Sequence, residues 1–301
     1  MALSGVILLF VFKFIDIGLL IPSLGGIRTI YLLFGISLLP IGFLIRAYRW
    51  SLILSQPSEL ISSKDLFLLT FTGVSLSFVL PAGLGDVARA YYGYKHSGLK
   101  EEMLSSSLVD KIIGLLAIAA LGTVSSLIHE LYAYSLACFL LMIGFTVLIF
   151  FPTLLPWKLV TKVTRIVARS NMDAQKLLES FTLSNGVKLL ALALSMLAWF
   201  ITYTQFYLVC LALSVNVPLT YVFAIAPMIT IARLFPLTLN GFGAQEAVVI
   251  YLFDFVDVSP NEALLVSLLY SFVQLVIPGF VGLLVIAREG LLSNQSPTPL
   301  S

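Results

Sequence analysis

Leu80-Pro81-Ala82-Gly83-Leu84-Gly85-Asp86-Val87-Ala88-Arg89 is a proline- and glycine-broken turn carrying two opposite charges between strongly apolar segments. Irregular backbone at membrane depth needs a protein-lined or watery cavity to satisfy its polar groups, and transport sites are built from such breaks. A second break stands downstream at Phe235-Pro236-Leu237-Thr238-Leu239-Asn240-Gly241-Phe242-Gly243-Ala244-Gln245-Glu246. Each holds a proline, then Gly-x-Gly, then a carboxylate, after a short hydrophobic run. They read as matched halves of one site.

The rest of the 301 residues supplies the setting. Hydrophobic residues make up 59% and charged residues 11%, with mean hydropathy +1.05, which leaves too little polar surface to cover a water-soluble globule. The fold class is therefore all-α, a polytopic helical membrane protein. A net charge of +2 gives no argument for nucleic acid. Cys138 and Cys210 sit inside apolar runs as core residues, with no disulfide or metal-ligand spacing. The amino-terminal stretch has no basic n-region, so no cleaved signal peptide is expected.

In chain order, residues 4–23 read as a first span interrupted by Lys13 and Asp16, and 29–54 as a second ending in Arg46-Ala47-Tyr48-Arg49-Trp50. Leu66–Leu80 is shorter than the roughly 20 residues that cross a bilayer, so it reads as a half-helix that returns through 86–96. Spans follow at 108–127 and 133–153. Residues 156–185 carry Lys158, Lys162, Arg165 and Arg169 along one face, the pattern of an interfacial amphipathic helix. The grammar then repeats: a span at 187–213, a short run at 219–235, the second break, a return at 244–255 and a span at 263–287. Residues 1–289 are expected to form one domain with inverted repeats at 29–128 and 187–287. The tail, 290–301, is Ser/Pro-rich and expected to be disordered.

Basic residues orient this plan. The region from residue 46 on carries Arg46, Arg49, Lys64, Arg89, Lys95 and Lys100, and six more lie between 156 and 188, whereas 129–132 and 214–218 carry none. The rich regions are expected in the cytoplasm, with both termini there. That places six spans and two re-entrant hairpins entering from opposite sides.

Arg46-x-x-Arg49-Trp50, the 80–89 motif, Leu108-Val109-Asp110-Lys111, and Pro236 with Asn240-Gly241-x-Gly243-x-x-Glu246 together resemble the transmembrane region of the lysylphosphatidylglycerol synthase family. The family includes the lipid-flipping domain of the multiple peptide resistance factor and stand-alone membrane proteins. The chain departs from the family pattern at Asp110-Lys111 and Gly114, where the family shows Glu-Arg and a further Asp. No part of these 301 residues reads as the soluble aminoacyl transferase domain, so synthase activity is not expected. The resemblance implies a cell-membrane lipid translocase working on membrane lipids, with a separate lipid-synthesising enzyme as a partner. Its substrate class would be an aminoacylated phospholipid or a polyprenyl-phosphate-linked glycan.

The expected substrate-binding residues are Arg46, Arg49, Pro81, Gly83, Gly85, Asp86, Arg89, Asp110, Lys111, Arg233, Asn240, Gly241, Gly243 and Glu246. Each has a plainer reading. Asp86 caps its helix and pairs with Arg89 at i, i+3; Arg46 and Arg49 anchor the chain at the interface; Arg233 and Glu246 pair with each other. No catalytic set, metal cluster or cofactor is expected. A lipid-modifying enzyme using Asp86, Asp110 and Glu246 as acid or base, and a non-transporting helper subunit, stand as the alternatives.

Overall fold

The computed structural model describes residues 26–54, 61–77, 84–154, 181–234 and 243–288. Among these the elements are helices: α1 (Thr29–Ile53), α2 (Ser63–Ser77), α3 (Leu84–Ser97), α4 (Lys100–Ile128), α5 (Tyr132–Phe150), α6 (Asn185–Ala212), α7 (Leu219–Leu234), α8 (Ala244–Asp254), α9 (Pro260–Ser271) and α10 (Ile277–Arg288). A 3-10 turn, Pro152–Leu154, follows α5, and a π-helical turn, Phe272–Val276, joins α9 to α10. The expected first span, most of the 156–185 segment and the tail lie outside the described residues.

Five helical stretches are long and apolar enough to cross a membrane: 29–53, 101–128, 132–150, 185–212 and 260–284. The chain is an all-α polytopic membrane protein. Its central helices are α4 and the α9 to α10 stretch, each about half buried along its apolar window, whereas α1 and α5 are only 17% buried there. The exposed faces of those outer helices are Leu33, Phe34, Ile41 and Leu44, and Leu136, Phe139, Leu140 and Ile143, which suits hydrocarbon and not water. Helix α4 begins at Lys100, eight residues before the expected span. Glu101 and Glu102 in its first turn meet the positive end of the helix dipole, so this polar stretch extends the helix.

Contacts define two ends of the bundle. The Arg28 amide donates to Ala212 O at 2.8 Å, and Gln205 Nε2 donates to Gly35 O, so α1 and α6 run antiparallel. His129 stacks edge-on against Tyr221, and Tyr221 Oη donates to Leu252 O. One end therefore gathers residues 26–28, 129–131, 213–218 and 255–259. At the other, Trp50, Leu54, Ile61, Leu66 and Met103 share a cluster, and Lys188 lies over the Phe150 ring.

Helices α2 and α3 form one antiparallel pair, α7 and α8 another. With 15, 14, 16 and 11 residues, each helix is too short to cross alone. Helix α2 starts at the end where α1 finishes, and α7 starts at the opposite end. The α2/α3 pair closes on small residues. A Cβ at Gly85 would overlap the Ser77 hydroxyl and the Gly73 carbonyl, and one at Gly282 would overlap Ser75 on α2. Association by close backbone approach is what apolar surroundings favour, since lipid removes the hydrophobic drive between helices.

Candidate functional site

Ten residues into α4, about 15 Å along its axis, Asp110 binds two arginines at once. Arg49 Nε approaches Oδ1 and Arg89 Nη2 approaches Oδ2, both at 2.6 Å, and all three residues are under 10% exposed. One carboxylate thus ties α1, α3 and α4 together. Arg49 Nη1 also donates to Ser195 Oγ on α6 at 2.7 Å, and Arg89 lies 4.5 Å over the Trp50 ring. Trp50 is held in turn by Ser106 Oγ. Charge-assisted bonds of this kind are the strong ones, and they are what makes buried charge tolerable.

The next carboxylate is less enclosed. Asp86 accepts from Lys111 Nζ at 2.7 Å and lies 3.6 Å from Arg89 Nε, and the Asp86 and Lys111 side chains are 39% and 30% exposed. Position in the chain explains the pairing. Asp86 sits in the first turn of α3, Arg89 follows one turn on, and Lys111 is adjacent to Asp110 on α4.

These groups face a cavity of about 260 Å³ that also exposes Arg46, Thr70, Ser77, Trp199, Thr202, Thr230, Arg233, Tyr270 and Gln274. Arg46 donates to Thr202 Oγ1 and lies 5.6 Å over Trp199, whose Nε1 donates to Gly114 O. Arg233 reaches the wall from the last turn of α7, so both helix pairs contribute. The far wall is the π-turn. Proline at 278 lacks the N–H that would close on Gln274 O, and the Ile277 amide reaches back five residues to Phe272 O. Gln274 Nε2 donates to Gln205 Oε1, linking that wall to α6.

Seven of the expected residues, Arg46, Arg49, Asp86, Arg89, Asp110, Lys111 and Arg233, line this one cavity. Arg49 is buried in the bundle against Asp110, so the interfacial-anchor reading is corrected for it. Glu246 also departs from expectation. Its Oε2 accepts the Gly243 amide at 2.6 Å and its Oε1 accepts from Ser267 Oγ, so it caps α8 and does not line the cavity. The Arg233–Glu246 pair is absent among the described residues; the carboxylates on the cavity wall are Asp86 and Asp110. Gly243 has φ +89°, which a side chain resists, and Gly85 serves the α2/α3 contact, so both glycines have structural work. Pro81, Gly83, Asn240 and Gly241 lie outside the described residues. Ser107, Ser195, Trp199, Thr202, Tyr270 and Gln274 were not expected from sequence. Serine, threonine and glutamine inside apolar runs were the available signal.

A family model described as the lysylphosphatidylglycerol synthase TM region matches residues 1–282. The chain is also similar to a UPF0104 membrane protein of Methanocaldococcus jannaschii, 23% identical over 315 aligned positions that cover 95% of this chain and 94% of that protein. No solved structure matches. With the match spanning nearly every helix that frames the cavity, the chain belongs to the lysylphosphatidylglycerol synthase transmembrane-region family.

Proposed function

We propose that this protein is a lipid translocase that carries an anionic head group between leaflets while the acyl chains stay in the bilayer. The observation that carries the reading is the cavity's charge: five cations face it, Arg46, Arg49, Arg89, Lys111 and Arg233, against two carboxylates, Asp86 and Asp110. Charged groups within a membrane bundle mark substrate pathways because their cost is otherwise unexplained. The placement supports movement as well as binding. The two short helix pairs start from opposite ends of the bundle and reach one cavity, the arrangement expected of inverted repeats that rock about a fixed site. Catalysis is disfavoured by the same contacts, since Asp110 is held by two guanidiniums and Asp86 by Lys111, leaving neither free to accept a proton.

Proteoliposomes test this. Fluorescent short-chain phosphatidic acid and phosphatidylglycerol, read by dithionite quenching, should change leaflet faster with protein than without, and faster than phosphatidylcholine. Their masses should stay unchanged. A cleaved or modified product that disappears with Asp86→Asn would turn the assignment to the lipid-modifying enzyme; equal rates with and without protein would end the translocase reading.

A further inference from the structure

The charges in the cavity divide into a neutralised part and a free part. Arg49, Arg89 and Lys111 share Asp86 and Asp110, which leaves this network one positive charge in excess. Arg46 and Arg233 form no ion pair among the described residues. The sequence of residues 78–83 and 235–242, which connect α2 to α3 and α7 to α8, contains no carboxylate. Among the described residues the cavity therefore holds three uncompensated positive charges. Arg46 spends one N–H on Thr202 and its guanidinium carbon lies 5.6 Å from the centre of the Trp199 ring, which leaves further donors of its fork for a ligand. Arg46, Arg233 and Tyr270 line the same cavity.

A phosphodiester brings one negative charge and would leave two of these cations unbalanced. A terminal phosphate brings close to two at neutral pH, and a diphosphate brings more. From this we infer that the head group recognised is a phosphate monoester or diphosphate on a lipid, and that Arg46 and Arg233 are the residues that select it over a phosphodiester. This inference rests on the lipid-binding reading above and names the charge class of the ligand.

Native mass spectrometry of the full chain, released from zwitterionic detergent at pH 8, tests it with three lipids: dioleoylphosphatidic acid, dioleoylphosphatidylglycerol and farnesyl diphosphate. The first two share their acyl chains and differ in phosphate charge. Phosphatidic acid should bind at least about fivefold tighter than phosphatidylglycerol, the effect of one added charge near a guanidinium at high effective dielectric. Farnesyl diphosphate should compete with phosphatidic acid. In Arg46→Gln and Arg233→Gln the preference should shrink by a similar factor, with Arg46→Lys keeping part of it. Equal affinity of the unmodified protein for the two dioleoyl lipids, or no binding of either, would overturn the inference without recourse to any variant. The two failures are separable: a strong monoester preference with no leaflet movement sinks the translocase reading alone, and rapid movement of phosphatidylglycerol bound as tightly as phosphatidic acid sinks the charge class alone.

Discussion

Asp110 and Arg233 belong to the same cavity but answer to different forces. Removing the Asp110 charge leaves Arg49 and Arg89 facing each other across a buried amide, and unpairing a buried ion pair costs about 3–5 kcal/mol. Asp110→Asn should therefore lower the melting temperature markedly and reduce the yield of monodisperse protein. Arg233 has no ion pair to lose among the described residues, so Arg233→Gln should leave the melting temperature within a few degrees while lipid movement falls. Thermal unfolding and proteoliposome flux, measured on the same preparations, check both. An Arg233→Gln variant with a markedly lowered melting temperature and normal flux would make it a structural residue. Arg49, Arg89 and Asp110 were legible in sequence through the motifs that carry them, Arg46-x-x-Arg49-Trp50, the 80–89 break and Leu108-Val109-Asp110-Lys111. Ser195 and Thr202 were not, because their contacts with Arg49 and Arg46 arise only when α6 packs antiparallel on α1. Glu246 shows the opposite limit: a carboxylate three residues after a glycine satisfies a helix start as well as a ligand, and only its 2.6 Å bond to the Gly243 amide decides.

At the scale of the element, the glycines separate. A Cβ at Gly85 meets backbone as well as a side chain, so α3 must move away from α2 to admit one. Gly85→Ala should lower stability and activity together, because displacement of α3 also shifts Asp86 and Arg89. At Gly243 the obstacle is conformational. Its φ of +89° and ψ of −51° suit glycine, and Gly243→Ala should cost about 1 kcal/mol or more in stability. Because the cavity wall does not include α8's first turn, lipid movement per folded molecule should change little. Normalising flux to the folded fraction from size-exclusion chromatography distinguishes the two cases, and a flux loss in Gly243→Ala beyond its stability loss would return that glycine to the site. The paired Gly-x-Gly signal identified the two helix breaks, but it did not say what the glycines were for. The π-turn was not legible at all. Pro278 was visible, yet whether a proline kinks a helix or shifts it to i→i−5 bonding depends on what Gln274 and Ser75 meet across the bundle.

For the whole molecule, the two ends defined by contacts differ in charge. Counting basic residues, the end holding 26–28, 129–131, 213–218 and 255–259 carries Arg28 alone, whereas the opposite end carries Lys64, Lys95, Lys100 and Lys188 beside Asp65, Glu101 and Glu102, and the sequence adds Lys158, Lys162, Arg165, Arg169 and Lys176 between α5 and α6. Three of the arginines that first contributed to this bias, Arg46, Arg49 and Arg89, are cavity residues and drop out of the count, yet the asymmetry survives their removal. From the positive-inside rule we propose that the lysine-rich end faces the cytoplasm. In that orientation Asp110 and its partners lie nearer the cytoplasmic face, α2 enters from the cytoplasm and α7 from outside. Single cysteines in a Cys138→Ala, Cys210→Ala background check the plan, with Ser63 and Ser97 representing one end and Glu130, Asn216 and Asp257 the other. The two native cysteines are fully buried and their removal tests folding first. An impermeant maleimide added to sealed cells should label positions 130, 216 and 257 and spare 63 and 97 until the membrane is opened. Labelling of 63 and 216 from the same side would mean that the α2/α3 and α7/α8 pairs do not enter from opposite faces, and rocking about a shared site would lose its geometric basis.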